Sequence, residues 1–80
     1  MKIGMKILPR PEVLDSQGRA VERTLSEHGR AVNHCRIGKY IELDIDASDR
    51  EAALQKVKGL ADFVLYNPLI ETYQLEVLGE

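Results

Sequence analysis

The chain has 80 residues, which suffices for a single domain spanning 1–80 and is too few for two. With 44% apolar and 30% charged residues and a net charge of −2, it lacks the concentrated basic surface that neutralising a phosphate backbone requires. No stretch approaches the roughly 20 apolar residues of a membrane span, and the start Met1-Lys2-Ile3-Gly4-Met5-Lys6 lacks the apolar core of a signal peptide, so a cytoplasmic address is expected.

From Lys2 to Leu8, Ile3, Met5 and Ile7 alternate with Lys2, Gly4 and Lys6, the period of a half-buried strand, and Pro9 and Pro11 are expected to stop it. Asp15 then caps a helix running to about His28. Its stripe of Leu14, Val21, Leu25 and His28 faces away from Arg19, Glu22, Arg23 and Glu27, and Gly29 supplies the C-cap. Ala31 to Ile37 reads as a weaker second strand, joined through a turn at Gly38 to a third over Lys39 to Asp46, where Ile41, Leu43 and Ile45 alternate with Tyr40, Glu42 and Asp44. Ser48-Asp49-Arg50-Glu51 reads as a capping box that opens a second helix with Ala53, Val57, Leu60, Ala61 and Val64 as its buried stripe, ended by Asn67-Pro68. Ile70 to Leu78 is the last strand, with Tyr73, Leu75 and Val77 on one face and Thr72, Gln74 and Glu76 on the other.

The order strand, helix, strand, strand, helix, strand is the βαββαβ pattern of an α+β fold of ferredoxin-like topology, a four-stranded antiparallel sheet with both helices on one face. Its first strand is central, between the third and fourth. Lys2 and Lys6 are then expected on the open face beside Glu42, Asp44 and Glu76, with Gly4 leaving a shallow spot where a partner backbone could approach. A chain this short buries only roughly 60 to 65% of the surface its unfolded form exposes, which leaves its stability marginal. Cys35 is its one cysteine, and His28, His34 and Cys35 show no paired ligand spacing, so oligomerisation is the remaining source of buried area.

Residues that could carry chemistry are few. His34 beside Cys35 suggests a nucleophile with its base, but neighbours in a strand point to opposite faces, and a half-buried thiol is the plainer reading. His28 suits a helix end, where its charge would oppose the dipole. Asp44, Asp46 and Asp49 crowd one corner without calcium-loop spacing. Arg36-Ile37-Gly38-Lys39 places two cations around a glycine, a grip for a carboxylate or phosphate that is far too short for a phosphate loop and favours a partner contact over a nucleotide. With Phe63 on a helix and Tyr73 on the core face, no aromatic platform for bases is expected.

Three segments in order carry a resemblance: Val13-Leu14-Asp15-Ser16-Gln17-Gly18-Arg19-Ala20-Val21, then Arg36-Ile37-Gly38-Lys39-Tyr40 with Glu42-Leu43, then Asn67-Pro68-Leu69-Ile70-Glu71 with Tyr73. Together they resemble the PurS subunit family of phosphoribosylformylglycinamidine synthase, from the first strand to the last. Two positions depart from its usual pattern: Ser16 stands where proline is common, a change the first turn of a helix tolerates, and Pro9-Arg10 stands where Leu-Lys is common, which alters how the first strand ends.

The resemblance implies a non-catalytic subunit that holds an ATP-dependent synthetase subunit and a glutaminase subunit together. In such complexes ammonia from glutamine passes between sites as formylglycinamide ribonucleotide becomes formylglycinamidine ribonucleotide. It implies no cofactor in this chain, ATP and magnesium in the synthetase, and a homodimer or dimer of dimers joined at strand edges. Its motifs carry over as candidate partner contacts at Asp15, Gln17, Gly18, Arg36, Gly38, Lys39, Asn67, Pro68, Glu71 and Tyr73. The competing readings are a stand-alone oligomeric module that binds a regulatory ligand and a small enzyme using His34 or Cys35.

Overall fold

The computed structural model describes residues 1–79. Three strands, β1 (Lys2–Pro9), β2 (Lys39–Asp44) and β3 (Glu71–Gly79), form one antiparallel sheet in the order β2-β1-β3. As the βαββαβ order predicts, β1 is central, with Met5 opposite Ile41 of β2 and Leu75 of β3. Pro9 does not stop this strand but belongs to it, opposite Glu71.

One face of the sheet is covered by α2 (Arg50–Leu60) and the π-helical turn that prolongs it (Ala61–Leu65). Ile3 packs with Ala53 and Val57, and Met5 and Ile7 pack with Ala61. These six residues are the fully buried apolar core. The helix is capped by Asp49, whose Oδ1 accepts the Ala52 amide at 2.8 Å, so the expected box at Ser48 and Glu51 starts one residue too early. Leu60 and Val64 were expected in the buried stripe and are exposed, Val64 by 71%. For Val64 the π turn is the reason: i→i+5 bonding spends an extra residue on one turn and brings Leu65, not Val64, toward Met5 and Ile7.

The expected fourth strand does not form, and the sheet of the described residues has three strands. The 31–37 segment is irregular, and two of its amides are taken by carboxylates at the first helix, α1 (Ser16–Glu27), and its cap Asp15 rather than by a strand. The Cys35 amide donates to Glu22 Oε2 at 3.0 Å and the Ile37 amide to Asp15 Oδ2 at 2.9 Å.

The boundaries of α1 are those its caps predict. Asp15 Oδ1 accepts from Gly18 at 2.9 Å, and at the other end Gly29, at φ +71°, lets its own amide reach Ser26 and the Arg30 amide reach the Leu25 carbonyl. Its position was not legible. Gly18 is its one buried residue, and it does not join α2 in covering the sheet. Leu14 is 75% exposed, and Val21 and His28 are exposed, so the stripe expected to seal the core faces outward. The molecule is correspondingly long, 50 × 26 × 15 Å, with a radius of gyration of 15.8 Å where a compact chain of this length has about 12 Å.

Candidate partner interface

The motif residues, scattered along the sequence, gather at one end of the sheet around the last residues of β1. Arg36 donates from its guanidinium to the Pro9 carbonyl. Arg10 donates from Nε to the Pro68 carbonyl at 2.9 Å and from its amide to the Ile70 carbonyl at 2.8 Å. Lys39 Nζ lies 3.9 Å from Glu71 Oε2. Glu71 Oε1 also accepts the Asn67 amide at 2.8 Å, and Asn67 Oδ1 accepts that of Leu69, folding Asn67-Pro68-Leu69-Ile70 into a self-bonded turn.

No hairpin joins residues 31–37 to β2, so Arg36 and Lys39 do not sit at a hairpin tip. Arg36 is half-buried and Lys39 faces the Glu71 carboxylate. Gly38 is required by close approach instead of by a turn, since a Cβ there would lie 1.9 Å from the Ile7 carbonyl oxygen. Gly18 has the same role one layer away: its Cβ would lie 2.4 Å from the Cys35 carbonyl and from Asp15 Oδ2.

Asp15 joins these parts. With one oxygen on Gly18 and the other on Ile37, it ties the start of α1 to the segment leading into β2. These two amides, Gly18 first, hold its carboxyl below the ordinary value, and the positive charges of His34 and Arg36 add to the effect. Gln17 is exposed on the first turn of α1. Tyr73 lies on the core face against Tyr66, ring centroids 4.7 Å apart and planes at 73°, and burial pushes its phenol upward.

The open face carries the expected pairs, Lys2 with Glu42 at 3.8 Å and Lys6 with Glu76 at 3.7 Å. The shallow spot at Gly4 is not open. Tyr40 lies over it, its hydroxyl where a Gly4 Cβ would be, and donates to Glu76 Oε1 at 2.9 Å. Tyr40, Arg10 and Arg19 fall within or beside the sequence motifs but were not among the candidate contacts, although Arg10 between two prolines is a signal of a fixed bend.

Other candidates are occupied with structure. His34 Nδ1 lies 3.6 Å from Glu22 Oε2, His28 is the C-cap of α1, Asp44 faces the N-terminal amine at 3.6 Å, and Asp49 caps α2. Strand geometry does not place His34 and Cys35 on opposite faces, because that segment is not a strand. Among the described residues no group of three or more His, Cys, Asp or Glu side chains could hold a metal ion, and no helix is long and apolar enough to cross a membrane.

A three-stranded sheet backed by one helix, with free strand edges and a second helix standing apart, defines a small α+β domain whose surfaces outnumber its own means of covering them. The family model described as PurS, phosphoribosylformylglycinamidine (FGAM) synthase, matches residues 2–79, and the chain belongs to this family. It is 44% identical over 69 residues to the phosphoribosylformylglycinamidine synthase subunit PurS of Synechocystis sp., covering 85% of this chain and 69% of that one. Its fold is similar to the crystal structure of the purS subunit of the synthase from Thermotoga maritima, with TM-score 0.87, 34% identity and coverage of 94% and 87%. A chain in the structure of PurLQS from Thermotoga maritima is as similar, with TM-score 0.87, 33% identity and coverage of 94% and 93%.

Proposed function

We propose that this chain is the small, non-catalytic subunit of a phosphoribosylformylglycinamidine synthase, holding the ATP-dependent synthetase and the glutaminase together so that ammonia passes between them. The observation that carries this reading is the end-to-end likeness to a chain of the PurLQS structure, with 94% of this chain covered. Family membership over residues 2–79 supports it independently. Ammonia is small, soluble and readily lost to solvent, so docking two active sites is a task of assembly. ATP and magnesium belong in this reading to the synthetase, and the complex works in the cytoplasm.

Self-association is part of the same proposal. The outer edges of β2 and β3 have no strand beside them among the described residues, and α1 lies away from the sheet. A second copy can supply a fourth strand at such an edge and cover apolar surface that one chain leaves open. The contact positions we favour are Asp15, Gln17, Gly18 and Arg36 at the base of α1, and Gly38, Lys39, Asn67, Pro68, Glu71 and Tyr73 around the end of β1. Of these, Gly18, Gly38 and Tyr73 act by shaping the surface.

The test is co-purification with the synthetase and glutaminase of the same organism, followed by measurement of glutamine-dependent activity. A complex containing all three chains, with activity that falls when this one is omitted, is the expected result. A chain that neither joins the other two nor raises their activity would remove the proposal. A melting temperature shifted by an amino acid or nucleotide, with no other subunit present, would favour the stand-alone regulatory module.

A further inference from the structure

Cations on the two sides of this molecule are treated differently. On the sheet, Lys2, Lys6 and Lys39 each face a carboxylate. Among the described residues no arginine is paired with one. Three of those arginines, Arg10, Arg19 and Arg36, line a single cleft between the end of β1 and the start of α1, with His34 beside them.

The one carboxylate in that cleft is Asp15, whose two oxygens are engaged by the amides of Gly18 and Ile37. Arg10 and Arg36 are each held by a backbone carbonyl, of Pro68 and Pro9 respectively. A carbonyl fixes the direction of a guanidinium and uses one of its five donors without supplying a counter-charge. Asp15 offsets Arg36 in part, and Arg10 and Arg19 have no carboxylate within ion-pair distance among the described residues. Side chains held this way lose little further freedom when a ligand arrives.

The hollow itself is only 30 Å3, room for one water-sized group. Small-molecule ligands occupy pockets of roughly 300–1,000 Å3, so no nucleotide could be enclosed here. What fits is the tip of a side chain presented from outside, and guanidinium forks match a carboxylate in shape and charge.

The geometry points to the Arg10–Arg19–Arg36 cleft as a docking point for an aspartate or glutamate side chain of a partner subunit. The inference rests on the assembly reading above and assigns it a place and a chemistry. It moves the charged contact away from Lys39, which already faces Glu71, to Arg10 and Arg19.

The test is the affinity of the full chain for the synthetase and glutaminase, measured as a function of salt, for wild type, Arg10→Gln, Arg19→Gln and, as a control at the start of α2, Arg50→Gln. Arg19 is the decisive position, since no hydrogen bond of the fold depends on its side chain. We expect Arg19→Gln and Arg10→Gln each to raise Kd about tenfold or more and to flatten its salt dependence, with circular dichroism unchanged and Arg50→Gln like wild type. If wild type fails to join the other subunits, the assembly reading falls and takes this inference with it. If wild type assembles and the Arg10 and Arg19 variants match it in affinity and salt slope, assembly stands and the acidic docking point is overturned. Titration with inorganic phosphate, followed by NMR at the arginine Nε–H groups, separates the remaining case: saturable binding that leaves subunit affinity untouched would mark a small-anion site instead.

Discussion

Tyr40 on β2 reaches across the central strand to donate its hydroxyl to Glu76 on β3, 2.9 Å away, over the bare backbone of Gly4. One side chain thus spans all three strands, and it can do so only because the residue beneath has no Cβ. The same Glu76 lies 3.7 Å from Lys6, so a phenol and an ammonium share one carboxylate.

The hydrogen bond to Glu76 favours the protonated phenol and raises its pKa above the ordinary 10.0, with the negative charges of Glu76 and Glu42 acting in the same direction. Glu76→Gln removes the ionised acceptor. In a spectrophotometric titration against wild type, one tyrosine should ionise at lower pH in the variant, while Tyr73, raised mainly by burial, stays where it was. Superimposable curves would mean that Tyr40 does not hold this bond in solution.

Gly38 and Gly59 should respond to alanine in opposite ways. At Gly38 the added carbon meets the Ile7 carbonyl at 1.9 Å, backbone that cannot give way without moving β2 off β1. A loss of about 2–3 kcal/mol in urea unfolding is expected, as for other overpacked sites. Gly59 lies inside α2 with nothing within 4 Å of the new carbon, and Gly59→Ala should stabilise by about 0.5–1 kcal/mol through helix propensity alone.

Acid should loosen the base of α1 through Asp15. Its folded pKa lies below the ordinary 3.8, so its contribution to stability is complete above that value and is lost as pH falls through the lowered folded one. Melting temperatures of wild type and Asp15→Ala, compared from pH 6 down to pH 2, should differ most at the upper end and converge toward the acid end. A gap independent of pH would show that the carboxylate charge is immaterial there.

The π turn after α2 can be tested with two valines. Val57 is fully buried against Ile3, and Val57→Ala should cost about 2 kcal/mol from lost burial and the cavity left behind. Val64, the last position of the expected stripe, points to solvent, and Val64→Ala should stay within about 0.5 kcal/mol of wild type. Equal costs would mean that the helix continues in its regular phase.

Much of the fold was legible because it obeys short-range periods. The alternation of Ile3, Met5 and Ile7, and of Tyr73, Leu75 and Val77, placed both strands on the correct face, and Asp15 and Gly29 marked the ends of α1. What escaped was the destination of groups far apart in sequence. Ala31 to Ile37 carries strand-forming residues, but its amides are claimed by Asp15 and Glu22, which no local pattern announces. Gly38 read as a turn because glycine usually marks one, whereas its reason lies in the Ile7 carbonyl thirty-one positions away. At the candidate interface, the motifs were visible as a set, but their convergence on the end of β1 depends on the carbonyls of Pro9 and Pro68, which have no side-chain signature.

The stand-off of α1 has a consequence of scale. A standard protein interface takes about 800 Å2 from each partner, a patch roughly 30 Å across. A chain 50 Å long and only 15 Å thick has room along its length for two such footprints with little overlap. A sphere of the same mass would force two neighbours to crowd one another more than this elongated shape does.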